Sequence, residues 1–371
     1  MSERATEQMS ESFTVNQLPN RTIRHNGQEY LFFSGTAYLG LPQHPAFQQL
    51  MAESVNQYGT VFGSSRNGNL RLSVYEEAEA KLAAVVGAPS ALTLSSGMMA
   101  GQVISNWLRS QNATFLYGSN AHPAMWHQPS VDLPTRSFAD WSAQLADQVR
   151  SLTAAQTSLK PIAILVNSLD AVRSEYYDFN WIDALPDDVP LTLVVDDSHG
   201  IGVLNNGRGI WPSLPQKPNI SVIVTASLAK AMGLPGGAIF GDSATLTAIR
   251  RTAFFGACSP MPPACLAAFL QADTLYTEGR EQLSRNVALA EQFLGSTGLF
   301  QQADGYPVFY TEQDALYGYL LEKGIFIYSF AYPTAADRAN TRIVISAFHT
   351  LEDIKRVAEG VNEFKRKGRK E

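Results

Sequence analysis

The chain has 371 residues, 45% apolar and 17% charged, which is the composition of an ordinary globular protein too long for one small core. A net charge of -6 argues against nucleic acid or an anionic membrane as the main partner, and no apolar run reaches the roughly 18 residues that cross a bilayer. The two cysteines, Cys258 and Cys265, cannot build a disulfide framework or a zinc knuckle, and the start MSERATEQMSES lacks the apolar core of a secretory leader, so a cytoplasmic protein is expected.

In chain order, EYLFFSG (Glu29–Gly35) reads as an early strand that joins or bridges to a carboxyl-terminal domain. Helical patterns follow over Ala46–Gly59 and, more clearly, over Ser73–Val86, the latter closed by Gly87 and Pro89. Six short apolar runs then alternate with helical stretches: ALTL (Ala91–Leu94), ATFLY (Ala113–Tyr117), IAILV (Ile162–Val166), LTLVV (Leu191–Val195), SVIV (Ser221–Val224) and GAIF (Gly237–Phe240). Strands that are apolar throughout are covered on both faces, so a largely parallel α/β sheet is expected. After the turn SPMPP (Ser259–Pro263) the pattern changes. A long helical segment over roughly Ala264–Leu294 leads to strand-like IFIYSF (Ile325–Phe330) and RIVIS (Arg342–Ser346). A last helix opens on a capping box at Thr350–Asp353, and the basic tail KRKGRK (Lys365–Lys370) reads as its solvated end. The expected organisation is an amino-terminal segment over 1–45, a large α/β domain over 46–275 and a smaller α+β domain over 276–371.

Ligands of parallel α/β sheets sit beyond the carboxyl ends of the strands. Three strand ends carry chemistry. ALTL runs through Ser95, Ser96 and Gly97 into a helix, a seat whose backbone N–H groups can face a phosphate, although most such turns bind nothing. LTLVV ends in Asp196, Asp197, Ser198 and His199; a buried carboxylate wants a cationic partner, and a helix cap explains only one of the two aspartates. SVIV leads to TASLAKAMGLPGG, where Lys230 lies among small residues that favour a neutral, nucleophilic amine. Phosphate seat, buried carboxylate and amine together suit pyridoxal phosphate: the lysine forms a Schiff base, and the carboxylate keeps the pyridine nitrogen protonated. The remaining histidines, His25, His44, His127 and His349, show no metal-ligand spacing and are read as structural. Gly236–Gly237 are expected to allow a tight turn into the next strand.

The chain also resembles the α-oxoamine synthases, a group of fold-type I pyridoxal phosphate enzymes, from roughly Phe32 to His349. The resemblance rests on SGTAYLGL (Ser34–Leu41) with His44–Pro45, SSG (Ser95–Gly97), AHPAM (Ala121–Met125), VVDDSHGIGVL (Val194–Leu204), SLAKAMGLPGG and CSPMPP (Cys258–Pro263). It implies a large domain with a mostly parallel seven-stranded sheet plus the smaller α+β domain. It also implies that Lys230 is the Schiff-base lysine and moves the Cα proton, that Asp196 pairs with the pyridinium, and that His199 lies near the phenolic oxygen. His122, on its own an ordinary loop histidine, matches the histidine that stacks on the ring. Gly97 and Met98, beside Ser96, would give N–H groups to the phosphate, with the Ser227 hydroxyl. Ser259 would reach the phosphate from a neighbouring subunit, making a homodimer with the active site at its interface. Arg342 would grip the amino acid's carboxylate; read alone, it is equally a surface strand arginine.

Three features depart from the family. The Ser-Met-Asp/Glu-Gly-Asp motif is replaced by NSLDAVRSEYYDF (Asn167–Phe179), Ala229 stands where a serine usually precedes the lysine, and MMAG follows Ser96–Gly97. The expected activity is condensation of an amino acid with an acyl-CoA. The alternatives are an aminotransferase on the same fold, or a non-catalytic relative, against which the Lys230–Asp196 pair argues. A nucleotide-binding oxidoreductase is disfavoured, because no GxGxxG follows the first strand.

Overall fold

The structure, a computed structural model, describes residues 13–155, 160–331 and 339–368. The MSERATEQMSES segment and the last residues of the basic tail lie outside the described residues. The chain divides into two compact units, one of Met1–Gln43, Ala171–Glu175 and Glu281–Glu371, the other of His44–Asp170 and Tyr176–Arg280. Ala171–Glu175, inside the stretch 46–275 assigned to one domain above, thus groups with the carboxyl-terminal unit.

The larger unit is built on a six-stranded sheet. Its strands lie in the order Ser90–Leu94, Gly237–Gly241, Ile220–Ser227, Leu191–Asp196, Ile162–Asn167 and Thr114–Tyr117. Gly237–Gly241 runs antiparallel to both neighbours and the other pairings are parallel. All six apolar runs are therefore strands of this sheet. The seventh strand implied by the resemblance is not found among the described residues; the sheet uses every apolar run of this kind in the unit. Leu165, Val194, Ile223 and Ile239 are almost wholly buried, with Val103 and Ile104 of the Gly97–Ser110 helix in the same core.

The helix Pro45–Tyr58 starts on a proline, whose missing N–H costs nothing at that position, and ends at Gly59 with φ 68. Ser73–Val86 ends at Gly87 in the left-handed region, whose N–H closes on the Ala83 carbonyl. The expected long helix over Ala264–Leu294 is two helices, Pro263–Leu270 and Asp273–Leu294. The break has neither glycine nor proline. Ala272 is fully buried, and its carbonyl accepts the Tyr276 N–H to open the second helix.

The smaller unit holds a five-stranded sheet in the order Thr22–His25, Gln28–Phe33, Ile325–Ala331, Ala339–Val344 and Val308–Thr311. The first two form a hairpin through Asn26–Gly27, both at positive φ, the backbone a two-residue turn requires. Gln28–Phe33 then pairs in parallel with Ile325–Ala331, so the early strand joins the late sheet. The capping box forms: the Thr350 hydroxyl accepts the Asp353 N–H, and the Asp353 carboxylate accepts that of Thr350.

Candidate active site

Parallel pairing aligns Asn167, Asp196 and Thr225 at the carboxyl ends of three adjacent strands. Residues paired across strands share a face, so one polar row closes an otherwise apolar sheet. Asp196 is buried; its Oδ1 accepts the Ser198 N–H at 2.9 Å and its Oδ2 lies 3.9 Å from His122 Nδ1. The same Nδ1 accepts the Ala124 N–H at 3.2 Å, which assigns the ring proton to Nε2. Burial lowers the His122 pKa; Asp196 opposes that shift and the Lys230 charge adds to it. The imidazole is accordingly neutral at neutral pH.

His122 is held by a residue the sequence reading did not single out. Asn167 Oδ1 accepts the His122 N–H at 3.1 Å, and Asn167 Nδ2 donates to the Asn120 carbonyl at 2.7 Å. One amide side chain thus spans the turn in which Asn120 takes φ 60. The signal was available: a polar residue directly ends the run IAILV, as Asp196 ends LTLVV.

The phosphate seat is tightly built. In the Gly97–Ser110 helix, Ser96 caps with its hydroxyl to the Met99 N–H, and its carbonyl takes the Ala100 N–H. The N–H groups of Gly97 and Met98 have no acceptor within the helix. A Cβ on Gly97 would lie 2.6 Å from Ser227 Cβ, and one on Gly237 would lie 2.3 Å from the Ser96 carbonyl oxygen. Gly237 and Gly236 are therefore glycine for close approach, a Cβ on Gly236 meeting Met261 Sδ at 2.5 Å, and the chain bends at Gly236 into the next strand with neither at positive φ. Ser227 N–H donates to Ser198 Oγ at 2.8 Å, tying this strand end to the Asp196 turn.

Lys230 sits in the loop after the Ile220–Ser227 strand, partly exposed. Leu228 closes the loop with both backbone groups, its N–H to the Gly236 carbonyl and its carbonyl to the Leu234 N–H, each at 2.9 Å. Tyr276 donates to the Met232 carbonyl at 2.7 Å and fixes the far side. The strand ends thus bring together Ser96, Gly97, Met98, His122, Asp196, Ser227 and Lys230. His199 stands partly exposed in the turn after Asp196. Ser259 is exposed; its neighbour Cys258 places Sγ 3.5 Å from Ser95 Oγ.

Arg342, in the smaller unit, is 5% exposed, which excludes the surface reading. Its Nη1 donates to the Ala171 carbonyl at 2.8 Å and its guanidinium lies 3.9 Å from the centre of the Tyr328 ring. Among the described residues, no group of three or more His, Cys, Asp or Glu side chains could hold a metal ion.

These groups fit pyridoxal phosphate. Two unspent helix N–H groups and a hydroxyl suit a phosphate, a buried carboxylate suits a protonated pyridine nitrogen, and an amine suits an aldehyde. The buried Thr225 Oγ1, in register with Asp196, has no hydrogen-bond partner among the described residues, an opening that a polar ligand can fill.

The fold and this arrangement define a pyridoxal phosphate transferase of fold type I. The family model for aminotransferases of classes I and II matches residues 34–361, and the chain belongs to that pyridoxal-phosphate-dependent family. It is 29% identical to an 8-amino-7-oxononanoate synthase of Thiobacillus denitrificans, covering 91% of this chain and 90% of that one. With the Methylocella silvestris protein of the same name the identity is 26%, over 92% and 99%. Among solved structures, a serine palmitoyltransferase of Sphingomonas wittichii shares the fold with TM-score 0.79 at 16% identity, covering 96% of this chain and 92% of that one. An 8-amino-7-oxononanoate synthase of Francisella tularensis gives TM-score 0.67 at 21% identity, over 91% and 98%.

Proposed function

We propose that the protein is a pyridoxal-phosphate-dependent acyltransferase that condenses an amino acid with an acyl-CoA, a reading supported by relatives named 8-amino-7-oxononanoate synthase. The observation that carries this reading is the His122 imidazole held 3.9 Å from the buried Asp196 carboxylate, at the strand ends that also present Lys230. Pyridoxal phosphate supplies an electron sink for negative charge formed at the amino acid's Cα. Lys230 Nζ would hold the cofactor covalently, and the same amine would serve as the base for the Cα proton. Asp196 would hold a proton on the pyridine nitrogen, and His122 would cover the ring. His199 serves the phenolic oxygen. The N–H groups of Gly97 and Met98, beside the capping Ser96, take the phosphate with the Ser227 hydroxyl, and Arg342 takes the substrate carboxylate.

Two further elements belong to the proposal. The site is completed in a homodimer, in which Ser259 of a second copy reaches the phosphate. Exposed Val61, Leu70 and Phe254 support it, because the loop bearing the first two is tied to the short helix Ala253–Ala257 by Ser65 Oγ to the Gly256 carbonyl, and to the preceding helix by Asn67 Nδ2 to the Arg250 carbonyl. Work in a reducing cytoplasm agrees with two free cysteines, and no helix among the described residues is long and apolar enough to cross a membrane.

The test is borohydride reduction of the cofactor-loaded protein with mapping of the labelled peptide, together with an activity screen of amino acids with and without acyl-CoAs. We expect the label on Lys230, none in Lys230→Ala, and thioester-dependent release of free CoA that the same substitution abolishes. A label elsewhere, or amino-group transfer to a keto acid with no thioester dependence, overturns the reading.

A further inference from the structure

Arg342 lies on the strand Ala339–Val344, directly opposite Tyr310 on one neighbouring strand and Tyr328 on the other. Cross-strand partners project from the same face, so the guanidinium stands in a row between two buried phenol rings. It chooses one of them, its Cζ lying 3.9 Å from the centre of the Tyr328 ring. The Tyr328 ring is itself backed by Phe330, at 4.0 Å between centroids. At the other end Nη1 is spent on the Ala171 carbonyl. Nε is buried and, among the described residues, has no acceptor. Among those residues no carboxylate comes within ion-pair distance of the guanidinium either.

An arginine has five N–H donors in a rigid plane, and a carboxylate can meet it end-on, through both Nη atoms, or side-on, through Nε and Nη2. Here the end-on edge is compromised, because its Nη1 donates to Ala171. We propose that Tyr328, with the Ala171 carbonyl, fixes the Arg342 plane so that a substrate carboxylate is taken side-on through Nε and Nη2. Tyr328 is thus a positioning residue for amino-acid binding. This deepens the proposed function and rests on its assignment of Arg342 to the carboxylate. It also gives the divergent Asn167–Phe179 segment a role: Ala171 contributes a backbone carbonyl, which makes its side chain irrelevant to the contact.

The experiment is a titration of the cofactor-loaded protein with L-alanine and with ethylamine, which differ by the carboxylate, read from the absorption of the bound cofactor. Wild type is expected to bind alanine more tightly than ethylamine. Tyr328→Leu fills the ring's space without its π face, and is expected to weaken alanine binding about tenfold while leaving ethylamine unmoved. Tyr328→Phe keeps the ring and is expected to restore alanine binding. In turnover, the Leu variant's loss falls on the amino-acid KM rather than on kcat. Equal alanine affinity in wild type and Tyr328→Leu overturns the proposal, as does equal weakening of both ligands, which marks a structural role. If wild type binds ethylamine as tightly as alanine, the assignment of Arg342 to the carboxylate fails, and the proposal falls with it.

Discussion

Two neighbouring aspartates at the end of one strand illustrate how much a single step along the chain changes. Asp196 turns toward His122, whereas Asp197 points to the opposite face and is 2% exposed. Its Oδ2 accepts the Ile210 N–H at 2.8 Å, and its Oδ1 has no partner among the described residues. A Cβ on Gly200 would fall 2.0 Å from Oδ1 and one on Gly209 2.1 Å from Oδ2, so only glycines leave room for this carboxyl. Burial pushes its pKa up to about 7, against the hydrogen bonds from Ile210 and Ser168. A carboxyl whose folded pKa exceeds its unfolded value binds its proton more tightly when folded. Its contribution to stability is therefore full at acid pH and declines as pH rises from the ordinary carboxylate range through 7, by roughly 4 kcal/mol. Asp197→Asn keeps the shape and removes the charge. Urea unfolding should show the variant gaining on wild type between pH 5 and pH 8; a pH-independent difference would contradict the assignment. His349 acts on the acid side. Buried, with Nδ1 accepting the Ser346 N–H, it has its pKa lowered to about 4. That contribution is present above the usual imidazole range and is lost as pH falls toward 4.

At the scale of elements, the close contact between Gly237 and the Ser96 carbonyl links the antiparallel strand to the start of the Gly97–Ser110 helix. The three atoms an added Cβ would meet within 2.7 Å, Ser96 O, Ser96 C and Gly97 N, are all backbone, so no side-chain rotation relieves a collision. Gly237→Ala is expected to weaken pyridoxal phosphate binding at least tenfold and to lower stability by about 1–3 kcal/mol. Gly318→Ala, in a helix with nothing within 4 Å of the added methyl, should leave both intact or improve stability. Equilibrium dialysis with thermal melts measures the pair, and equal behaviour would refute the close-approach account. The same region shows what the amino-acid order makes legible. All six apolar runs are strands because doubly covered strands need no alternation, and Asp196 and Lys230 stand out because charge at the end of such a run is costly. Asn167 obeys the same logic with an uncharged amide, a weaker signal. The break at Gln271–Ala272 has no glycine or proline to announce it. The burial of Arg342 depends on Tyr328 and on a backbone carbonyl 171 residues away, which no local pattern encodes.

For the whole molecule, the proposed homodimer has the widest consequences. Leu70 and Val61 are 65% and 71% exposed on one loop, and Phe254 is 38% exposed on the short helix Ala253–Ala257, which with Arg250 hydrogen-bonds to that loop. Large apolar side chains exposed together mark an interaction surface. A charge introduced there by Leu70→Glu should shift sedimentation toward a monomer and reduce activity, with the Lys230-containing unit still folded by circular dichroism. A wild-type chain that sediments as a monomer at assay concentration would remove Ser259 from the site.

The parallel pairing of Gln28–Phe33 with Ile325–Ala331 also sets a timetable for synthesis. A ribosome emits the early strand almost three hundred residues before its partner, while His44–Asp170 and Tyr176–Arg280 emerge in between. The larger unit has all its strands by Gly241 and can condense as the chain grows. The smaller unit lacks three of its sheet's four strand pairings until Val308–Thr311 and the strands after it emerge, and the exposed edge of Gln28–Phe33 must stay unpaired throughout. The hairpin with Thr22–His25 covers one side of that strand early, leaving a single edge to guard until Ile325–Ala331 arrives.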